Sequence, residues 1–446
     1  MTMTLGKKPG LTLQLKDKLI QQALERKLKQ VGDIASAASR VLGNSSAIPE
    51  QHYRFHLHPG YQQLRIINDG AARMGVASPF FKVHEGTAGA STQIAGKSYV
   101  NYASYNYLDL SGDPEIAKAA KDAIDKYGTS VSASRLVSGE RPIHRQLERE
   151  LADLYEVDDS ITFVSGHAAN VSTIGHLFGP RDLVLHDELI HNSVLQGIQL
   201  SGARRLPFAH NDWEAVDIIL SQQRRNFERV LIVVEGIYSM DGDYPNLPEF
   251  VDIKRRHHAF LMVDEAHSLG VMGKRGYGIR EHFGLSGKDV DIWMGTLSKS
   301  LAGCGGYIAG ESALVEHLKF LAPGFLYSVG MPPSVAASSL AALRKMKREP
   351  DRVGLLQARG MYFLEQARAA GIDTGTSTGF AVIPAIAGSS LKAARASAEL
   401  FKHGINVQPI LYPAVPEKAA RLRFFVSCRH TEQDISTTVD LLARAF

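Results

Sequence analysis

Cysteine and tryptophan are scarce in this chain, with two of each among 446 residues. Cys304 and Cys428 form no CxxC pair and cannot build a disulfide framework, so neither an oxidising compartment nor a structural zinc site is indicated. Both are expected to be buried as small hydrophobes. Long apolar runs are also missing. No stretch approaches the roughly 18 apolar residues that cross a bilayer, and Met1–Gly10 has lysines without an apolar leader core. The expectation is a cytoplasmic chain with no membrane span. A surplus of one charge sign is absent too: 50 Lys and Arg face 46 Asp and Glu, interleaved along the chain, so no basic stripe awaits nucleic acid. His56-Leu57-His58 and His257-His258 lack further ligands, and no metal is expected.

What remains is the balance of an ordinary globular protein, 44% hydrophobic and 22% charged, and long enough for two domains. Residues 12–30 carry apolar positions at helical spacing among many charges, and Gly43-Asn44-Ser45-Ser46 reads as a linker. That amphipathic helix is either a docking or tethering appendage or a helix packed on its own body. From Tyr102 onward, apolar runs at 161–164, 183–185, 230–234, 260–263 and 291–294 alternate with helical patterns at 114–127, 143–155, 191–200 and 212–225. Such alternation predicts an α/β fold with a mostly parallel sheet covered by helices on both faces. After Met331-Pro332-Pro333 come helical patterns at 334–348 and 352–370, strands near 380–386 and 422–427, and a helix after Thr431, a smaller α+β domain. The organisation expected is therefore 1–50 helix and linker, 51–100 arm, 101–330 large domain and 331–446 small domain.

In a parallel sheet, ligands gather outside the carboxyl ends of the strands. The run Phe260–Val263 delivers Asp264 to such an end, with His267 three residues later. A carboxylate there can keep a pyridinium nitrogen protonated. Asp264-Glu265-Ala266-His267 also spells a helicase motif, but the P-loop that helicases need is missing. Thirty-five positions on, a second apolar strand ends in Gly295-Thr296-Leu297-Ser298-Lys299, whose hydroxyls suit a phosphate and whose lysine suits an imine. A lone lysine in a Ser-rich loop is usually only solvated; its place behind a buried strand argues otherwise. Val164-Ser165-Gly166-His167 reads as a strand, a turn and a helix start, and the amides of such a start form an anion site.

These motifs, with Ser104-Tyr105-Asn106-Tyr107-Leu108 and Glu235-Gly236-Ile237-Tyr238-Ser239-Met240-Asp241-Gly242, run in order from about Asn101 to the C-terminus. In them the chain resembles the α-oxoamine synthases, fold-type-I enzymes of pyridoxal 5′-phosphate (PLP). The resemblance implies that Lys299 carries the cofactor, Asp264 pairs with its ring nitrogen, His267 neighbours the ring oxygen and His191 stacks on the ring face. It implies further that Gly166, His167 and Thr296 hold the phosphate, that Ser239 lines the ring and that Asn106 sits at the substrate mouth. Bland alternatives stay open: a core histidine for His191, a turn residue for Ser239, a cap for Asn106.

Two positions depart from the family pattern. Leu411 stands where many members have a carboxylate-binding arginine, which leaves Arg423 as the candidate clamp, with a domain-interface salt bridge as its alternative. Val329 and Gly330 stand where relatives place a hydroxyl that reaches the neighbouring subunit's phosphate, which leaves Ser328 as the nearest hydroxyl and that contact unassigned. The segment 128–139 resembles the loop at the acyl entrance, or is a simple flexible turn. The implied reaction condenses an α-amino acid with an acyl thioester, from CoA or an acyl carrier protein, releasing CO2 and thiol, with Lys299 as proton acceptor. Similarity at 128–135 and 406–413 to members found beside polyketide synthases favours the carrier protein. A serine palmitoyltransferase-like step, an aminotransferase or aldolase on the same fold, and a non-catalytic partner subunit are the rival readings. A homodimer is implied.

Overall fold

The computed structural model describes residues 48–73 and 78–446. The helix and linker expected within 1–47 lie outside the described residues. The chain divides into two compact units, 1–80 and 81–446. In the first, two 3₁₀ turns, Glu50–His52 and Phe55–Leu57, precede helix α1 (Pro59–Arg73).

The second unit opens with the hairpin β1 (Ser91–Ile94) and β2 (Lys97–Asn101), then α2 (Pro114–Tyr127) and α3 (Pro142–Tyr155). There follow β3 (Asp159–Phe163), α4 (Gly166–Leu177), β4 (Leu183–Asp187), α5 (Asn192–Ser201), β5 (Arg204–Phe208), α6 (Trp213–Gln223), β6 (Val230–Glu235), α7 (Leu247–His257), β7 (Phe260–Asp264), α8 (Gly278–Phe283), β8 (Ile292–Thr296) and β9 (Gly306–Gly310). Helices α9 (Ser312–Leu321), α10 (Pro323–Leu326), α11 (Pro333–Arg348) and α12 (Asp351–Ala369) lead to β10 (Val382–Ile386), α13 (Ser390–Lys402), β11 (Ile405–Asn406), β12 (Gln408–Ile410), β13 (Arg421–Phe425) and α14 (Glu432–Ala445).

Strands β3 to β9 form one seven-stranded sheet in the order β3-β9-β8-β7-β6-β4-β5. All neighbours are parallel except at β9, which runs antiparallel to both β3 and β8. The reason is visible in β6. Val230, Ile232 and Val234 pack into one core and Leu231 and Val233 into the other, on the opposite face, so the strand must be apolar throughout. The second sheet, β10-β13-β12, is antiparallel, and a third joins β11 to the β1–β2 hairpin.

Local chemistry sets the helix ends. Asp113 caps α2, its carboxylate accepting from the Glu115 amide (3.0 Å), with Pro114 in the first turn. Thr431 and Asp434 form a reciprocal capping box on α14. Six strands were not foreseen, β5 and β9 in the large sheet and β1, β2, β11 and β12 outside it. Cys304 is also corrected: only Cys428 is buried, while Cys304 is exposed on the loop before β9, bordering the strand rather than filling the core.

Trp293 on β8 is fully buried, stacks on Tyr155 (5.2 Å between centroids) and donates Nε1–H to the Gly287 carbonyl (2.8 Å). Trp293→Ala is expected to cost about 3–5 kcal/mol, read as a lowered urea midpoint in circular dichroism.

Candidate functional site

Five strands deliver polar groups to one edge of the large sheet, around a cavity of about 270 Å3 lined by residues that include Gly166, His191, Asp264, His267, Thr296 and Lys299. The volume is near the lower end for small-molecule sites.

At the end of β3, Ser165 turns the chain into α4. Its hydroxyl accepts from the Ala168 amide (2.9 Å) and its carbonyl from the Ala169 amide (3.0 Å), so the Gly166 and His167 amides have no intrahelical partner. They face the cavity at the positive end of the helix dipole. Glycine is required at 306 for this packing, since a Cβ there would lie 2.5 Å from the Gly166 Cα.

Lys299 sits on a tight loop after β8. The Leu297 amide donates to Gly305 O (2.9 Å), Ala302 N to Lys299 O (3.0 Å), and the Ser300 hydroxyl to Leu269 O (2.8 Å). The ammonium makes no ion pair among the described residues and lies 5.7 Å from the Tyr105 ring centre. Burial pulls the Lys299 pKa down to about 8, against the opposing pull of Asp264 and Glu235. An amine in that range exchanges protons near neutral pH.

Asp264 closes β7. Its carboxylate accepts from Asn170 Nδ2 (2.9 Å) and from the Ala266 amide (3.0 Å). In register beside it on β6 stands Glu235, which accepts from the His191 amide (2.7 Å). Burial, reinforced by the Asp264 charge, raises the Glu235 pKa well above the carboxyl range. His191 itself caps α5, its Nδ1 2.7 Å from the Ser193 hydroxyl, and lines the cavity. Burial of the imidazole as a whole, opposed by the Asp264 charge, lowers its pKa.

His267 is buried, with Nδ1 2.8 Å from the Tyr107 hydroxyl and its ring near-parallel to Phe425. Burial, then the charges of Lys299 and Arg423, hold it well below the usual histidine pKa, so it is neutral. Arg423 comes from β13. Its Nη1 donates to Ser239 O (3.1 Å), its guanidinium stacks on Phe425 (4.5 Å), and its buried Nε has no partner among the described residues. It forms no ion pair there, unlike its neighbour Arg421, which bonds Asp241 (2.6 Å). The loop they share is fixed from the other side by His210, 3.0 Å from Asp187 and 2.9 Å from Asp243. Burial alone would lower His210; the two carboxylates outweigh it and raise its pKa to about 10, so the clamp is charged.

The structure thus brings together Lys299, Asp264, His267, His191, Gly166, His167 and Thr296. Neither Ser239 nor Arg423 is among the cavity-lining residues, and the Ser239 carbonyl supports Arg423. Asn106 is committed to its own turn, Oδ1 accepting from the Leu110 (2.9 Å) and Ser111 (3.2 Å) amides. The segment 128–139 ends in a π-helical turn anchored by Arg135, buried and bonded to Glu140 and Glu148. Among the described residues no cluster of three or more His, Cys, Asp or Glu is arranged for a metal, and no helix is long and apolar enough to cross a membrane.

Sequence reasoning missed Glu235, Asn170 and Tyr107. Glu235 was findable, because it ends an apolar strand just as Asp264 does. Asn170 lies one helical turn beyond Gly166, on the same face of α4.

The profile of the aminotransferase class I and II family matches residues 97–442. An 8-amino-7-oxononanoate synthase of Fervidobacterium nodosum is 38% identical over 359 residues, 80% of this chain and 90% of the relative. A serine palmitoyltransferase of Sphingobacterium spiritivorum is 37% identical over 367 residues, 82% and 91%. Among solved structures, a serine palmitoyltransferase of S. paucimobilis carrying PLP with myriocin superposes with a TM-score of 0.83 at 29% identity, covering 86% of this chain and 97% of that one. The chain belongs to the aminotransferase class I and II family, within its α-oxoamine synthases.

A neutral Glu235 has a measurable signature. Because its folded pKa is raised, the folded chain holds a proton that the unfolded chain releases, so wild-type stability falls as pH rises above the ordinary carboxyl range. Glu235→Gln should match wild type in thermal melts near pH 4 and gain on it progressively towards pH 8.

Proposed function

We propose that this protein is a PLP-dependent α-oxoamine synthase that joins an α-amino acid to the acyl group of a thioester, with release of CO2 and free thiol. The observation that carries this reading is Lys299: an amine with a lowered pKa and no ion pair among the described residues, in one cavity with Asp264 and the amides that start α4. Relatives named 8-amino-7-oxononanoate synthase and serine palmitoyltransferase support it.

The residues fit the cofactor on their own chemistry. Free amides at Gly166 and His167 and the Thr296 hydroxyl suit a phosphate, Asp264 suits a protonated ring nitrogen, and His191 borders the space where a ring face would lie. When bound, PLP supplies an electron-withdrawing ring that stabilises negative charge at the amino-acid Cα. Asn170 and the Ala266 amide orient Asp264 for its charge partner. Lys299 takes the Cα proton and returns one later, which its pKa permits. Neutral His267 donates a hydrogen bond to an oxygen in the cavity, the thioester carbonyl or the ring oxygen. With Leu411 where many relatives have arginine, Arg423 binds the substrate carboxylate through its Nε and outer donors, and its stacking on Phe425 fixes the plane of the guanidinium.

The reading includes a homodimer and, as donor, an acyl carrier protein. Val137, Tyr327 and Val329 are 80%, 82% and 54% exposed, and the Gly330 amide bonds Ala133 O (3.0 Å), which joins their two segments into one surface suited to a second copy. The carrier rests on the resemblance at 128–135 and 406–413. The rival aminotransferase would accumulate pyridoxamine phosphate with amino acid alone.

Two experiments test the reading. Borohydride reduction of the PLP-loaded protein should fix the cofactor on the peptide containing Lys299, and the rate of loading should climb with pH and level off above about 8; an unmodified peptide overturns the assignment. Released CO2 and thiol, assayed with a panel of amino acids against acyl-CoA and acyl-carrier donors, should be greater with the carrier; full activity with CoA esters and none with carrier-bound acyl groups removes the carrier.

A further inference from the structure

The Tyr107 side chain is fully buried on the segment between β2 and α2. Its hydroxyl meets one group, Nδ1 of His267, at 2.8 Å across 160 residues of sequence. Two arrangements satisfy that distance. Either the tyrosine O–H donates to a bare Nδ1, or an Nδ1–H donates to the phenol oxygen.

The surroundings decide between them. In the second arrangement the tyrosine O–H must find another acceptor, and none lies within reach among the described residues; a buried hydroxyl proton would be left unsatisfied. In the first, each group is paired and the remaining ring proton sits on Nε2. His267 lines the cavity, and its Nε2 bonds no described residue. Phe425 lies nearly parallel to the His267 ring, 6.0 Å between centroids, and Tyr105 meets it edge-on at 6.4 Å. The Tyr107 phenol is itself held in the protonated form by burial, which raises its pKa.

We propose that Tyr107 is a positioning residue: it fixes the ring proton of His267 on Nε2, so that the imidazole presents a hydrogen-bond donor to the cavity. The tautomer follows from contacts within this chain alone. Only its value to catalysis rests on the reaction proposed above. A donor at that point serves an oxygen that gains negative charge; the other tautomer would place a lone pair there and repel it.

The test has a spectroscopic arm and a kinetic arm. In the full chain labelled with 15N-histidine, with and without PLP, the His267 signals are assigned by their loss in His267→Asn. Wild type should show a protonated Nε2 and a bare, hydrogen-bonded Nδ1; an Nδ1–H in wild type overturns the proposal whatever any variant does. Tyr107→Phe should then show a mixture of the two tautomers. Its kcat should fall on the order of tenfold while KM for the amino acid stays put, the signature of a contact made as charge develops. Should Tyr107→Phe keep the single Nε2–H tautomer with unchanged kcat, the tyrosine does not set the proton and the proposal fails. A folded variant with the mixed tautomer but full activity retains the assignment of the proton and overturns its catalytic role. If the variant does not fold, the wild-type spectrum still decides.

Discussion

Two carboxyl groups, Glu235 and Asp264, stand in register on adjacent parallel strands at the edge of the large sheet, both buried. Two negative charges so close in a poorly solvated place repel, and the structure resolves the conflict by making the two environments unequal. Asp264 receives two donors, Asn170 Nδ2 and the Ala266 amide. Glu235 receives one backbone donor and stays protonated. Burial brings the Lys299 pKa down to about 8 against the pull of both carboxyl groups.

The same asymmetry organises the rest of the cavity. The amide that Glu235 accepts belongs to His191, so the acid that is spared ionisation fixes the start of α5. Arg423 and Phe425, neither of them a cavity-lining residue, belong to the small sheet, while the carbonyl that steadies Arg423 belongs to Ser239, on the loop after β6. The fastening of Arg423 thus joins both sheets. His210 and Arg421 each fasten that loop through a carboxylate. Losing either would be felt at Arg423 although neither faces the cavity.

Much of this was legible in the sequence, for a physical reason. Strands β6 and β7 are buried on both faces, so they appear as unbroken apolar runs, and the polar residue that ends each run falls at the sheet edge where ligands bind. That logic found Asp264 and Lys299. It failed for β9, whose Gly306 answers to the close approach of α4 and whose Gly310 to that of the Asp291 carbonyl, rather than to strand preference. It failed as well for β5, an edge strand whose Arg204, Arg205 and Pro207 are exposed. Asn106 looked like a substrate contact because it sits within a site motif; only coordinates reveal that its oxygen is already taken by two amides of its own turn. The pairing of Tyr107 with His267 joins parts of the chain that no local pattern links.

Strand β2 has a parallel neighbour in β11, and Asn101 and Asn406 lock the two together by a side-chain hydrogen bond of 2.9 Å. These residues are separated by 305 positions. At a ribosomal rate of roughly 5–20 residues per second, β2 emerges on the order of tens of seconds before its partner exists. Throughout that interval its outer edge is an open template for foreign strands. All seven strands of the large sheet precede residue 311, so the chain that follows β9 adds covering helices and the small sheet to strands already made. A nascent chain stalled before Ile405 would accordingly contain Lys299 and Asp264 while still lacking Arg423 and the cover over its earliest hairpin.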